Sequence, residues 1–270
     1  MSVFTIRTLN LLLRCATLGA RFLFIFFLAK YIEPSGVGYY GIFTVTISYS
    51  LYLVGLDFYT YVTREVIKTP ANQRGRLFKG QAAVSGALYI VLLPLAILLL
   101  AQSGWPNIMI WWFFPILVLE HINQEISRLL TTLSEQLASS CILFIRQGSW
   151  NLAVIVIMSA SPEVRALNMM MPLWFLSGVV ALGLGIWKLK TLNTSGWSLA
   201  IDWSWVKKGL RVSSLFLAAT LALRGLQTFD RYWIEALGGI EMVASYVLAQ
   251  GIASVLLIFL ESTLFAFAYP

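Results

Sequence analysis

Long apolar runs separated by short polar segments dominate this sequence. A helix of about twenty apolar residues crosses the roughly 30 Å hydrocarbon core of a bilayer, and eight runs reach that length. The residues are 59% hydrophobic and only 11% charged, with a mean hydropathy of +0.80. The sequence therefore predicts an all-α integral membrane protein with about eight transmembrane helices: Leu9 to Ile32, Val37 to Leu56, Phe78 to Ala101, Trp105 to Gln124, Leu137 to Met158, Leu167 to Trp187, Leu210 to Leu237 and Met242 to Phe267.

The positions of lysine and arginine predict the orientation in the membrane, because short cytoplasmic loops carry an excess of both. The loops on the other side hold only Lys30 and Arg165. We therefore expect a cytoplasmic N-terminus and interpret the net charge of +7 as a topology signal, not as a nucleic-acid-binding surface. The basic residues assigned to the cytoplasmic side are Arg7, Arg64, Lys68, Arg74, Arg76, Lys79, Arg128, Lys188, Lys190, Lys207, Lys208 and Arg211.

The first span carries a polar stripe. Arg7, Asn10, Arg14, Thr17 and Arg21 are three or four residues apart, so they share one helix face. Arg21 falls near the middle of the bilayer, where an arginine costs roughly 2.5 to 3.5 kcal/mol on insertion scales and normally faces protein or a watery cavity. The stripe favours an anion pathway.

Two further arginines, Arg146 and Arg224, fall near the centres of the fifth and seventh spans. The acids of the spans, including Glu120, lie toward span ends, so we expect the midplane arginines to have no carboxylate partner there. Guanidinium groups suit phosphate oxygens, and Arg14, Arg21, Arg146 and Arg224 are therefore predicted to bind phosphate or pyrophosphate. The alternative, bonding to helix carbonyls or to an acid from a helix outside this sequence, stays open for Arg146 and Arg224.

A metal site and a cofactor are not expected. His121 and Glu125 share a helix face, but two ligands without a second cluster are more typical of a polar turn that pairs with Arg128. Cys15 and Cys141 lie within spans as packing residues. No nucleotide-binding glycine loop or nucleophile elbow is present, so the pattern does not favour an ATP-driven pump or an enzyme.

Two stretches about 200 residues apart share an order of residues: a midspan arginine (Arg21, Arg224), an acid (Glu33, Glu235), a pair of glycines and another apolar span. Such repeats are common in transporters. They predict a six-helix lobe over residues 1–206, with an interfacial linker near 190–206 that includes a short helix from Trp197 to Trp205. Residues 207–270 are then the first two helices of a second lobe, in an incomplete twelve-helix transporter.

The chain resembles the O-antigen flippase branch of the multidrug/oligosaccharidyl-lipid/polysaccharide exporter superfamily. The resemblance is carried along the whole chain by the helix with Arg14 and Arg21, the turn Glu33 to Tyr40, Gly55 to Phe58 followed by Arg64 and Glu65, the segment Glu120 to Arg128, and Arg146 followed by Trp150. It implies two six-helix lobes that alternate access and move a polyprenyl-pyrophosphate-linked oligosaccharide across the bacterial cytoplasmic membrane.

Further expectations accompany the resemblance. Asp57, Arg64, Glu125, Arg128 and Glu261 would form a polar network at the inner gate. Membrane lipids and a polysaccharide polymerase are the expected partners, and H⁺ or Na⁺ is the expected coupling ion, with the choice between them open.

Two other functions are compatible with the sequence. A cation-coupled multidrug antiporter of the same superfamily would have an acid inside the membrane, where this chain has arginines. An integral membrane glycosyl or acyl transferase would use Glu120, His121, Glu125 and the loop around Arg64 as an inner-face active site.

Overall fold

The computed structural model describes residues 3–192 and 195–268, and the side chains of residues 5–192 and 195–254. Helix accounts for 89% of the structure, and the described residues contain no strand. The helices are α1 (Val3–Tyr31), α2 (Pro34–Gly55), α3 (Tyr59–Lys68), α4 (Arg74–Ala101), α5 (Asn107–Thr132), α6 (Gln136–Phe144), α7 (Trp150–Ala160), α8 (Leu167–Thr191), α9 (Trp203–Gly238) and α10 (Ile240–Ala268).

All eight apolar runs lie in helices, and within the part of the chain that the structure describes, six of these helices are long and apolar enough to cross a membrane. The six are α1, α2, α4, the continuous α6–α7 helix, α8 and α9. The fourth run lies in α5, which carries Glu120, Glu125 and Arg128 along its length. The all-helical membrane class is confirmed, whereas the count of eight spans and the twelve-helix plan stay predictions.

A short helix that the sequence pattern did not predict follows α2. The chain turns at Leu56 and Asp57, both with left-handed backbone angles (φ 48° and 50°), and then forms α3. Tyr61, Val62 and Val66 are buried on one face of α3, and Arg64 and Lys68 are exposed on the other. An amphipathic helix of 10 residues is too short to span the bilayer, so α3 caps one end of the helix bundle.

The linker before α9 lies against the start of α4. The backbone N–H of Gly75 donates to Ser195 O at 2.9 Å, and Arg76 Nε donates to Ala200 O at 2.8 Å. The basic segment at the start of α4 and the linker before α9 therefore lie at the same end of the helix bundle. The expected short helix from Trp197 to Trp205 is wrong, because residues 197–202 are not helical and α9 begins only at Trp203.

Asp202 ends this linker and caps α9. Its carboxylate accepts hydrogen bonds from the Ser204 hydroxyl at 2.6 Å and from the backbone N–H of Trp205 at 3.0 Å. These two bonds, the hydroxyl first, hold the pKa of Asp202 below its usual value. Arg76 lies 3.4 Å from the same carboxylate.

The last two helices pack against α2 at close range. A Cβ atom at Gly38 would lie 2.2 Å from Ile240 O, and one at Gly41 would lie 2.3 Å from Val247 Cγ2. Only glycine at these two positions allows α10 to approach α2 this closely. The contact fixes the pair α9–α10 beside α1 and α2, and this arrangement forms the walls of the site described next.

Candidate functional site: an arginine-lined cavity between the helices

Four arginines from three helical segments line one cavity of about 320 Å³. Arg21 projects from α1, Arg146 from the helix after α6, and Arg224 and Arg231 from α9. Three of them were predicted as substrate-binding residues, and the structure brings these three together. Their convergence depends on the packing of α9 against the N-terminal helices.

Two smaller spaces adjoin this cavity, with volumes of about 300 Å³ and 120 Å³. Arg21 lines all three spaces, and Tyr40 and Asn151 line the two smaller ones. Because the three spaces share Arg21 in their walls, we call them together the arginine-lined cavity, with Arg21 at the junction of its three parts. A ligand that moved from one part to another would stay within reach of the same guanidinium.

The lining of the largest part is strongly polar but holds no Asp or Glu among the described residues. Serine, threonine and tyrosine hydroxyls accompany four glutamines, which are Gln124, Gln147, Gln227 and Gln250. Amides and hydroxyls both donate and accept hydrogen bonds, as sugar hydroxyls require. The 120 Å³ part includes one acid, Glu120.

Glu120 is the partner of Arg146, so the expectation that Arg146 lacks a carboxylate partner is wrong. Arg146 Nη1 lies 3.0 Å from Glu120 Oε2 and also donates to the Glu120 backbone oxygen at 3.0 Å. The Trp174 indole N–H donates to Glu120 Oε1 at 2.8 Å. The predicted fourth span ended at Gln124, but α5 continues to Thr132, which puts Glu120 at the middle of the helix and not at its end.

The helix that carries Arg146 widens for one turn. A π-helical segment, Ile145–Ser149, joins α6 to α7. Such turns displace carbonyls from their usual helical partners and occur often at functional sites. Here the hydroxyls of Ser149 and Ser177 donate to Ile145 O at 2.6 Å and 2.8 Å. The widened turn directs Arg146 toward α5 and α8.

Arg21 and Arg224 differ from Arg146, because no carboxylate contacts either one. Arg21 makes no hydrogen bond or ion pair with a described residue and is exposed to the cavity. Arg224 donates to Gln227 Oε1 at 3.0 Å, and its guanidinium lies 5.7 Å from the Tyr52 ring centre. Two guanidinium charges thus face the cavity without a neutralising contact.

Arg231 was not predicted as a site residue. It follows Arg224 by seven residues, which is two helical turns, so that spacing on α9 was the available signal. Its guanidinium donates to Gly41 O at 2.7 Å and to the Gln250 side chain, whereas the buried Nε has no protein partner. Arg231 joins α9 to both α2 and α10 at the cavity wall.

Arg14 does not line any part of the cavity, although it shares the polar stripe with Arg21. Arg14 Nε lies 3.4 Å from the Ser140 hydroxyl, which in turn donates to Asn10 Oδ1. The structure therefore gives Arg14 a role in the contact between α1 and α6. The stripe is divided between that contact and the cavity.

The residues predicted for an inner gate are partly brought together. Arg128 Nη1 lies 2.5 Å from Glu125 Oε1, and its guanidinium stacks 3.5 Å from the centre of the Tyr59 ring. Asp57 is buried at the α2–α3 turn. Arg64 lies apart, 5.7 Å from the Phe216 ring, and the side chain of Glu261 is outside the described residues.

The polar pair His121 and Glu125 lies beside these residues, with His121 Nε2 4.0 Å from Glu125 Oε1. Within residues 5–192 and 195–254, no group of three or more His, Cys, Asp or Glu is arranged to hold a metal ion. Glu125 instead pairs with Arg128, as the sequence pattern indicated.

Comparisons with protein-family models, with curated proteins and with solved structures found no match for this chain.

Proposed function

We propose that this chain is a membrane carrier for an anionic, lipid-linked sugar, and specifically a flippase for polyprenyl-pyrophosphate-linked oligosaccharide. The observation that carries the proposal is a cavity lined by four arginines with no acid in the described lining of its largest part. Its proposed location is the bacterial cytoplasmic membrane, with the N-terminus in the cytoplasm and a polysaccharide polymerase as a downstream partner.

The charges of the cavity suit a pyrophosphate. Glu120 neutralises Arg146, which leaves Arg21 and Arg224 without a carboxylate in contact. Arg231 lies next to Asp230, whose carboxylate accepts from the Arg231 backbone N–H at 2.8 Å. A pyrophosphate diester carries two negative charges and several acceptor oxygens, and guanidinium forks bind such oxygens in pairs. Bringing this anion into the bilayer without cationic partners would be strongly unfavourable.

The two larger parts of the cavity suit the two chemically different parts of the substrate. The 320 Å³ part offers glutamine amides and hydroxyls to sugars. The 300 Å³ part is lined on one side by Leu18, Phe22 and Ile25, which suit the polyprenyl segment next to the phosphates. In this proposal Arg21, at the junction, holds the pyrophosphate.

Binding of a short polyprenyl pyrophosphate to the purified protein tests the proposal. Farnesyl pyrophosphate should bind, and farnesol should bind much more weakly because it lacks the anion. Arg21→Gln and Arg224→Gln should each weaken binding about 10-fold to 100-fold, which corresponds to the loss of one charge-assisted hydrogen bond. Arg211→Gln is the matched control, because Arg211 is exposed on α9 and does not line the cavity.

Equal affinity for farnesol and farnesyl pyrophosphate would overturn the proposal, as would an equal loss of affinity in the Arg211→Gln control. Two other results would favour the alternatives. Tight binding of a cationic dye such as ethidium would favour a cation-coupled multidrug antiporter. Turnover of a sugar or acyl donor by the purified protein would favour a membrane transferase.

A further inference from the structure

The arginine-lined cavity ends at the level of Arg231. None of the described α9 residues after Arg231 lines any of its three parts, and on α2 and α10 the walls begin at Tyr40 and Val247. One helical turn nearer the α1–α2 and α9–α10 turns, Val37 and Val243 are at most 2% exposed. The cavity is therefore closed toward this end of the bundle, which is the outer end in the predicted orientation.

Three consecutive residues of α9 bond to the neighbouring helices at this level. We call Asp230, Arg231 and Tyr232 the outer latch. Asp230 accepts a hydrogen bond from the Tyr246 hydroxyl on α10, and the Tyr232 hydroxyl shares a hydrogen with the Thr46 hydroxyl on α2 at 2.6 Å. Successive side chains of a helix point about 100° apart, so the two flanking members of the latch reach different helices.

Arg231 is the member of the outer latch that also lines the cavity. Its two terminal nitrogens donate to Gly41 O on α2 at 2.7 Å and to the Gln250 side chain on α10. Both of these acceptors are neutral amide oxygens. A phosphate is a stronger acceptor for the same group, because it is charged and binds a guanidinium fork through two parallel hydrogen bonds. An anion in the cavity therefore competes with α2 and α10 for Arg231.

Beyond the outer latch, the same helices meet through apolar packing. Gly38 and Gly41 of α2 admit Ile240 and Val247 of α10 at close range. Within a bilayer such packing has no hydrophobic driving force, because the lipid tails are equally apolar. Hydrogen bonds between helices then carry a larger share of the contact, so the bonds of the outer latch control whether this end stays closed.

We propose that the outer latch opens in response to a bound anion. A phosphate group in the cavity draws the Arg231 guanidinium away from Gly41 and Gln250, and α2 then separates from α9 and α10 at the outer end. Because the anion binds the open form more tightly, binding and opening favour each other. This inference rests on the proposed function only in that an anion enters the cavity, and it does not depend on the lipid or sugar attached to that anion.

The distance between the α1–α2 and α9–α10 turns tests the outer latch directly. Spin labels are attached at Glu33→Cys and Leu237→Cys, since both positions are exposed. The native Cys15 and Cys141 are replaced by serine. In double electron–electron resonance, saturating inorganic pyrophosphate should add a population at longer distance, whereas NaCl of equal ionic strength should not. Arg231→Gln should show the longer distance without ligand and should not respond to pyrophosphate.

Two further variants weaken the outer latch without changing the cavity wall. Tyr232→Phe and Thr46→Val remove the same hydrogen bond, and neither residue lines the cavity. Each should raise the affinity for inorganic pyrophosphate about 2-fold to 10-fold, as expected when the closed form loses one hydrogen bond. Isothermal titration calorimetry measures this. Tyr39→Phe is the matched control, because Tyr39 is on α2 at the same end and its hydroxyl has no partner among the described residues.

A label distance that does not change at saturating pyrophosphate would overturn the proposal. Affinities of Tyr232→Phe and Thr46→Val equal to that of Tyr39→Phe would do the same. If Arg231→Gln does not fold, these variants still decide the question, because neither changes a charge. The proposed function fails separately: if farnesyl pyrophosphate does not bind but inorganic pyrophosphate opens the latch, the carrier proposal falls and the latch stands. Tight binding of farnesyl pyrophosphate with no change in label distance would overturn the latch alone.

Discussion

The Arg146 guanidinium lies 3.0 Å from the Glu120 carboxylate, and the two side chains are only 6% and 7% exposed. Removing one member of such a pair leaves the other as an uncompensated buried charge, which costs about 3 to 5 kcal/mol. We expect Glu120→Gln or Arg146→Gln to lower the free energy of unfolding by about that amount. The double variant should lose less than the sum, and unfolding titrations in detergent measure this. A strictly additive double variant would contradict the pairing.

Trp174 supports the same carboxylate from α8. Its indole N–H donates to Glu120 Oε1 at 2.8 Å, and its ring stacks on Trp150 with centroids 5.0 Å apart. Trp174→Phe keeps an aromatic ring but removes the donor, and we expect a loss of about 1.5 to 3 kcal/mol, typical of a hydrogen bond to a charged group. In a Glu120→Gln background the loss should be much smaller. The same unfolding titrations, compared as a double-mutant cycle, check this.

Close packing of α10 on α2 predicts a strong effect of side chains at the glycines between them. Gly41→Leu would force a side chain into Val247, at a cost of about 1 to 3 kcal/mol for overpacking. We expect faster amide hydrogen exchange in the described part of α10. Gly86→Leu on α4 is the control, because no atom outside its own helix backbone and chain neighbours lies within 4 Å of a Cβ at Gly86. Equal exchange in both variants would contradict a close α2–α10 contact.

The cap at the start of α9 should depend on pH. The pKa of Asp202 is lowered in the folded protein, chiefly by the Ser204 hydroxyl, so its contribution to stability is complete above the unfolded pKa. The contribution is lost as the pH falls through the lowered, folded-state pKa. We expect protection of the Trp205 amide from hydrogen exchange, after correction for the intrinsic rate, to fall over that range. Asp202→Asn should cap the helix without titrating, so its protection should stay constant.

The helices and three of the cavity arginines could be predicted from the sequence, because a charged residue in a long apolar run is visible without tertiary information. Arg21 and Arg224 illustrate this, since each lies within a long apolar run. Their convergence required the additional hypothesis of a repeat. The structure joins α1 to α2 and α9 to α10 by similarly short turns.

The partner of Arg146 could not be predicted in the same way. Glu120 precedes it by 26 residues on another helix, and the contact depends on how far α5 extends and on the π-helical turn. Neither property has a signal in hydropathy. The hydrogen bond from the Gln81 amide to Glu125 could not be predicted either, because Gln81 carries no charge and lies at the start of an apolar run.

The π-helical turn also shifts the sequence periodicity of the α6–α7 helix by one residue. Residues before Ile145 and after Ser149 face the bundle at positions that no single 3.6-residue period describes. Deleting one residue of this turn would restore a regular α-helix, because a π-helical turn holds one residue more than an α-helical turn. Trp150 would then keep its stack on Trp174 and Asn151 its place in the cavity wall, whereas Arg146 would lose the widened turn that carries it. The extra residue beside Arg146 is therefore absorbed within one turn, and the second half of the helix faces as it would without it.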